Sequence, residues 1–378
     1  MFHDKIDPSK PIPYFGVDNL YIYVFETLLY LSFALIAGYL VLEFIPKELK
    51  PEIQVPFRLI QLAAIGIPLF SLASIVRTSI ILMDFAPQMS FLEVLLIVLN
   101  DYSFGQAWIL NFIFGSALFM VISFNGLKHK SSKWISLGIW ILMVLIHGWA
   151  SHPATLSKNW GLITQTTHVG AVSVWLGILI LVAWFRKGNW NWIVFTRWYT
   201  PMSIVCMLLI VTAGIVMMSI IIEVGYINSW GINYGEALLL KHLLFIPLIL
   251  LAFMNGFLTK VYANGQNERG LTSWLKLESL IALFILMTTA FMGVQEPPHE
   301  TESEEPVPSS LFKLLHTNLN DLSLQWVWNM LGVGCFIMGF LSLVLLFAAY
   351  RKNKMGLFII FSLIAVLFPF LGLLQSVK

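Results

Sequence analysis

Long apolar stretches alternate with short polar segments along the whole chain of 378 residues. A helix that crosses a bilayer needs about 20 mostly apolar residues, because lipid offers no partner to an unpaired backbone group. Ten stretches meet this requirement, and we predict spans at about 21–45, 57–82, 104–127, 134–152, 163–185, 199–224, 238–262, 273–295, 325–349 and 356–375. A further apolar run, Phe91 to Leu99, is too short to span and predicts a re-entrant or interfacial helix.

The composition agrees with a protein that is solvated mainly by lipid. Hydrophobic residues make up 58% of the chain and charged residues 11%, whereas soluble domains carry about 25% charged residues. The net charge of +2 gives no reason to expect a nucleic-acid partner. We therefore predict an all-α fold, a polytopic transmembrane helix bundle of about ten spans whose main partner is the lipid bilayer.

Basic residues predict how the bundle is oriented, because cytoplasmic loops of membrane proteins are enriched in Lys and Arg. Every second connection between the predicted spans holds three basic residues, namely Lys47, Lys50 and Arg58; Lys128, Lys130 and Lys133; Arg186, Lys187 and Arg197; Lys260, Arg269 and Lys276; and Arg351, Lys352 and Lys354. These connections are expected to be cytoplasmic, which places both termini outside. The alternation holds only for this number of spans and so supports the count as well.

The polar segments divide the chain into four parts. Residues 1–20 are polar and proline-rich and form an outer tail, with no apolar core of a cleaved signal peptide. Residues 21–295 form a membrane core of eight spans. Residues 296–324 begin with EPPHETESEEPVPSS and are expected to form an acidic, disordered outer loop. Residues 325–378 form a hairpin of two spans.

Several kinds of chemistry have no signal in the sequence. Cys206 and Cys335 both lie in apolar runs and form no CxxC pattern, so we expect no disulfide. The chain contains no Walker A loop and no HExxH motif, so we expect no ATP hydrolysis and no enzyme activity. Any transport would depend on a gradient, a redox state or a partner.

Histidines are concentrated near the outer ends of the predicted spans. His147 and His152 close the fourth span, His168 lies about one and a half turns into the fifth, and His242 enters the seventh. Ionisable groups within a membrane are costly and are functional candidates for that reason. The alternative for each is an interfacial histidine that bonds to the backbone or to water. Four histidines on one side of the membrane favour a shared site.

Methionines lie at the same depth as these histidines. Met218 is the methionine that we select as a candidate ligand, and others at this level are Met83, Met89, Met217, Met287 and Met292. Thioether and imidazole together suit copper, above all Cu(I). The alternative is that methionine fills irregular gaps in the packing.

Short motifs between residues 147 and 298 resemble the copper resistance protein D family. They are SHPA at 151–154, THVGAVSVWLG at 167–177, FTRWYTPMS at 195–203, NYGEALLLKHLLF at 233–245 and the pair Pro297–Pro298. The resemblance implies copper handling at the cytoplasmic membrane, usually as inward movement. It makes His152 and His168 the best ligands, while Lys241 and Glu278 match positions for which a structural role is equally open.

The leading hypothesis is therefore copper transport or copper acquisition, with Cu(I) or Cu(II) bound outside by His152, His168, His147, His242 and Met218. Some family members carry a fused soluble copper-binding domain that this sequence lacks, which leaves the copper donor open; a separate extracytoplasmic copper-binding protein is one candidate. One alternative is a b-type haem protein, in which His147 or His152 pairs with His168 or His242 as axial ligands. Another is a protein that delivers copper for assembly without transporting it.

Overall fold

The computed structural model of the chain describes residues 20–125, 127–188, 192–222, 226–258, 268–295, 297–298, 307–316 and 324–377. These residues form α-helices and contain no strand. The helices are α1 (Leu20–Phe44), α2 (Phe57–Phe85), α3 (Phe91–Asp101), α4 (Ser103–Asn125), α5 (Lys130–Trp149), α6 (His152–Leu156), α7 (Lys158–Phe185), α8 (Trp192–Ile221), α9 (Asn233–Phe253), α10 (Glu268–Val294), α11 (Ser310–Leu315), α12 (Met330–Arg351) and α13 (Met355–Gln375).

The described residues contain ten helices that are long and apolar enough to cross a membrane, which confirms the predicted polytopic all-α fold. They are α1, α2, α4, α5, α7, α8, α9, α10, α12 and α13. Most boundaries agree with the sequence to within about five residues. The largest differences are at α9, which ends at Phe253 instead of 262 and is followed by a π-helical turn to Leu258, and at α8, which begins at Trp192 instead of 199. The amphipathic segment WIVFTRW extends α8 at its N-terminal end. The predicted orientation stays a prediction.

Two predicted parts fall largely outside the described residues. They are the N-terminal tail, of which residues 1–19 are not described, and the acidic loop, of which residues 296, 299–306 and 317–323 are not described.

The short apolar run after the second span forms α3, as predicted. Its N-terminus is a capping box, in which the Ser90 side chain accepts from the Glu93 backbone and the Glu93 carboxylate accepts from Ser90. The Ser90 backbone N–H donates to Glu93 Oε2 over 2.8 Å, and this bond, with a second from the Ser90 hydroxyl, lowers the pKa of Glu93. Phe91, Leu92 and Leu96 are exposed along the helix, which suits an interfacial helix.

The described residues divide into two compact units. The first contains α1 to α7 and residues 198–220 of α8, and the second contains residues 192–197 of α8 and the helices from α9 to α13. Within the first unit, α1 packs closely on α7 where Gly38 faces Gly177. A Cβ added at Gly177 would lie 1.8 Å from the carbonyl oxygen of Ala34. The backbones of the two helices therefore touch, which small residues allow between membrane helices.

The terminal hairpin, α12 and α13, belongs to the second unit together with α9 and α10. Gly339 of α12 faces the ring of Pro369 on α13 and leaves room for no side chain of its own. One apolar cluster joins all four helices, and its buried members include Leu251, Trp274, Leu346 and Phe358. The hairpin thus shares a core with the last two spans of the predicted eight-span part.

Candidate metal site

His168 lies ten residues into α7, half-buried, against one face of α8 in the first unit. Its Nδ1 lies 3.1 Å from the carbonyl oxygen of Ile210. A Cβ added at Gly214 would lie 3.8 Å from His168 Cε1 and 3.9 Å from Nδ1. The imidazole therefore spans one turn of α8, from Ile210 to Gly214.

The bond to Ile210 determines which nitrogen of His168 has the lone pair. A carbonyl oxygen only accepts, so Nδ1 must carry the proton and donate it. In the neutral ring Nε2 is then the basic nitrogen, the one that ligates a metal ion. Histidines that bind metals usually donate their other N–H to a carboxylate or a backbone carbonyl, which holds the ring in place. His168 has this arrangement, with the carbonyl on a neighbouring helix.

The face of α8 that meets His168 continues to two methionines. Met217 and Met218 follow Gly214 by three and four residues, so both lie on the next turn of the same side. Both are partly buried. Because the Cα–Cβ bonds of a helix tilt toward its N-terminus, we expect side chains at these two positions to lean back toward the turn of Gly214. The local geometry favours Met217 as much as Met218, although only Met218 was selected from the sequence.

His152 lies nearer the start of α7 than His168 does. It begins α6, and Pro153 follows it as the second residue of that short helix. A Cβ at Gly161 would lie 2.0 Å from the Pro153 carbonyl oxygen, so α6 rests directly on the first turns of α7. Gly161 precedes His168 by two turns, about 10 Å along the helix. The structure thus places His152 and His168 at two depths along α7.

His147 faces another part of the first unit. Its ring packs on two aromatic rings of α1, with centroids 5.9 Å from Tyr30 and 5.5 Å from Phe33. The next residue, Gly148, meets Thr166 of α7 so closely that a Cβ would lie 2.1 Å from Thr166 Oγ1. His147 is therefore at about the level of His168, but its imidazole contacts α1 while that of His168 contacts α8.

His242 belongs to the second unit and is exposed there. Its Nδ1 lies 2.7 Å from the carbonyl oxygen of Leu238, one turn earlier on α9. The ring of Tyr226 approaches it edge-on, with centroids 6.3 Å apart. Met287 on α10, in the same unit, is also exposed. The proposal that His242 is a ligand stays a prediction.

Within the described ranges, no three His, Cys, Asp or Glu side chains come together as a metal-binding group. A site at His168 would therefore depend on the methionine sulfurs of α8, and these are soft ligands. The alternative of an axial haem pair chosen from His147, His152, His168 and His242 also stays a prediction.

The fold and this arrangement define the class of protein: a polytopic membrane protein with imidazole and thioether groups at one depth. Comparison with known families gives two matches. Residues 193–292 match Copper resistance protein D, and residues 18–162 match the Copper resistance protein D-like N-terminal domain. Together the matches cover well over half of the chain, which belongs to the copper resistance protein D family.

A curated relative supports the same assignment. The chain is 23% identical over 226 aligned residues to a protein of Bacillus subtilis (strain 168) named Copper transport protein CutJ. The alignment covers 55% of this chain and 39% of that protein, so the chain spans well under half of the length of this relative. No solved structure matches the chain.

The matched regions only partly coincide with the motifs seen in the sequence. His147 and His152 lie in the first matched region, Met218 and His242 lie in the second, and His168 lies between the two. The sequence motifs indicated the family from residue 147 onward and missed the match at 18–162. That region consists of apolar helices without a short polar motif that stands out by eye.

Proposed function

We propose that this protein acquires copper at the outer side of the cytoplasmic membrane and moves it inward. Membership of the copper resistance protein D family supports a role in copper handling. The name of the relative, a copper transport protein, supports transport in particular. The ion is the cargo of the protein and not a resident cofactor.

The observation that carries the proposal is the environment of His168. The Ile210 carbonyl holds the ring through Nδ1 over 3.1 Å, which makes Nε2 the metal-binding nitrogen. Gly214 gives the ring its space, and Met217 and Met218 supply thioethers on the next turn. An imidazole with one or two thioethers is a soft donor set, which suits Cu(I) better than a hard cation.

The positions along α7 suggest an order of binding. His152 is the outer ligand, at the start of α6, and receives the ion first. His168 lies about two turns further along α7 and receives it next, together with the methionines of α8. His147, against α1, and His242, in the second unit, are secondary ligands. A separate extracytoplasmic copper-binding protein is the proposed donor.

Copper uptake into proteoliposomes tests the function and the ligands together. The wild-type protein should accumulate copper, while the His152→Ala/His168→Ala double variant should bind and transport much less. Loss of a residue that only orients a ligand already weakens metal affinity by about 10–100-fold. We expect loss of the ligands themselves to cost at least as much. A Met217→Leu/Met218→Leu variant should show a similar loss, larger for Cu(I) than for Cu(II).

Matched controls separate ligand loss from general damage. His129→Ala removes an exposed histidine at the other end of α5, and Met120→Leu removes an exposed methionine of α4. Both controls should transport like wild type. Unchanged copper affinity in the double histidine variant would remove the proposed site, and absence of uptake by wild-type protein would remove the transport function.

A further inference from the structure

A chain of three polar side chains lies buried in the second unit, whereas the residues of the candidate metal site at His168 belong to the first unit. Glu278 on α10 is 3% exposed and Asn255, just after α9, is 4% exposed. Asn255 Nδ2 donates to Glu278 Oε2 over 2.7 Å. The hydroxyl of Tyr350 on α12 donates to Asn255 Oδ1 over 3.0 Å. Three spans thus contribute one phenol, one amide and one carboxyl.

The hydrogen bond of Tyr350 holds the amide of Asn255 in place. The phenol donates to Oδ1 of the amide, and Nδ2 of the amide donates to Glu278. The hydrogen bond from Nδ2 occupies Oε2 of the carboxyl. The terminal hairpin, to which the sequence analysis gave no function, therefore orients the partner of a buried acid.

The residues next to this group in the sequence are buried and apolar. Met254 precedes Asn255 and Leu277 precedes Glu278, and both belong to the apolar cluster that also contains Leu251 and Leu346. An ionised carboxylate in such surroundings is costly unless a cation pairs with it. In the part of the chain that the structure describes, the hydrogen-bond partner of Glu278 is a neutral amide, and no cation pairs with Glu278.

Among the residues whose side chains the structure describes, the charged groups on the neighbouring helices lie elsewhere. Lys276 precedes Glu278 by two residues, about 200° around α10. Arg351 follows Tyr350 on α12 and is exposed, with its guanidinium over the ring of Phe347. On α9, Lys241 lies about 20 Å along the helix from Asn255, and Glu236 and His242 are near it. The helix α13 carries no titratable residue.

The backbone is irregular where Asn255 enters the group. Residues Met254–Leu258 form a π-helical turn directly after α9. Single π-turns within helices are rare and occur frequently at functional sites. Packing of an apolar core does not require a π-helical turn. Here the turn contains Asn255, a polar residue that contacts a buried acid, and this combination indicates a functional role.

The group lies near one end of its spans and close to a loop. Tyr350 is the penultimate residue of α12, and the loop residue Asn353 accepts a hydrogen bond from Trp274 Nε1 over 2.9 Å. The rings of Trp274 and Tyr350 pack together with their centroids 4.7 Å apart. The loop also carries Lys352, a residue of the predicted cytoplasmic side. A proton could therefore pass between the acid and the cytoplasmic water over a short distance.

We propose that Glu278 is a proton-binding site that couples copper movement to proton movement, with Asn255 and Tyr350 as its positioning residues. The carboxyl holds a proton and releases it to the cytoplasmic water as a copper ion moves inward. It then takes up another proton from the outer side, so that one proton crosses the membrane with each copper ion. Only the O–H bond of the acid breaks and reforms. The coupling rests on the proposed transport function, whereas proton binding at Glu278 can be measured without it.

Infrared spectroscopy of the purified protein tests proton binding directly. At neutral pH the wild-type protein should show the C=O stretch of a protonated carboxyl that Glu278→Gln lacks. Glu43→Gln is the matched control, because Glu43 forms an ion pair with Lys133 over 2.9 Å and should contribute no such band. Identical spectra of wild type and Glu278→Gln would show that Glu278 is ionised and would overturn the proposal.

Tyr350→Phe covers the case in which Glu278→Gln does not fold. It keeps the acid and removes only the hydroxyl that orients Asn255, so the carboxyl band should move in frequency and in its pH midpoint. An unchanged band would contradict the role given to Tyr350 and Asn255.

Proteoliposomes that contain a pH-sensitive dye test the coupling. Wild-type protein should move protons together with copper, and Glu278→Gln should take up copper with at least a tenfold smaller proton signal per ion. Copper uptake by wild type without a proton signal would overturn the coupling and leave the transport function intact. Absence of copper uptake by wild type would contradict the proposed transport function. Proton binding at Glu278 would then be tested by the infrared band, without the transport assay.

Discussion

The contact between Gly38 and Gly177 predicts that one added methyl group separates two helices of the first unit. A Cβ at Gly177 would lie 1.8 Å from the Ala34 carbonyl oxygen, whereas ordinary contacts begin at 3.4 Å. Gly177→Ala therefore requires α1 and α7 to move apart by about 1.6 Å, because no side-chain rotation relieves a clash with backbone. Overpacking of this kind costs about 1–3 kcal/mol, and we expect the upper part of that range.

The matched control is Gly138→Ala on α5, where an added Cβ meets nothing within 4 Å. Alanine favours helix over glycine by up to about 1 kcal/mol, so this variant should be as stable as wild type or more so. Thermal unfolding in detergent should separate the two variants by several degrees. Since α7 also carries His168, Gly177→Ala should weaken copper binding as well. Equal unfolding temperatures for Gly177→Ala and wild type would refute this reasoning.

Two further predictions concern smaller parts of the first unit. Gly214→Ala should be tolerated, because the added Cβ would lie at an ordinary 3.8 Å from His168. Gly214→Leu should displace the imidazole and lower the copper affinity by at least about tenfold. Isothermal titration of the two variants checks this, and equal copper affinities would contradict it. The capping box of α3 depends on the Glu93 carboxylate, whose pKa is lowered in the folded protein. Its stabilisation is therefore present above the ordinary pKa of Glu93 and is lost as the pH falls through the lowered value. The protection factor of α3, which corrects hydrogen exchange for the direct effect of pH on its rate, should fall on acidification in wild type but not in Glu93→Gln. An equal pH response of the two proteins would disprove the capping role.

The helices of this protein were predictable because the bilayer imposes a simple requirement on the sequence. Apolar length alone determines the number of spans, and the short run at Phe91 was correctly separated from them. Helix ends were less certain, because polar residues such as Asn233 and Glu236 continue α9 beyond its apolar part. Pro153 disfavours a helical conformation at the residue before it, which separates the short helix α6 from α5.

The candidate site was predictable in composition but not in arrangement. The predicted depth in the membrane identified His168 and Met218 as candidates. Helical spacing could not show that His147 packs against Tyr30 instead of facing α8. The hydrogen bond from His168 to the Ile210 carbonyl depends on packing between residues 42 positions apart in sequence.

The sequence drew attention to the buried acid Glu278 through its match to a family position, but it gave no sign of the partners of this acid. Asn255 and Tyr350 are 95 positions apart along the chain. The π-turn that presents Asn255 leaves no pattern in the sequence. The partners of Glu278 therefore depend on tertiary packing and cannot be predicted from local sequence patterns.

The most direct test of the copper site is X-ray absorption at the copper edge on purified protein loaded with Cu(I). Imidazole nitrogen and thioether sulfur should both appear in the first coordination shell. The sulfur contribution should disappear in Met217→Leu/Met218→Leu, and the nitrogen contribution should fall in His168→Ala. A spectrum without sulfur, or one that neither variant changes, would contradict a site between α7 and α8.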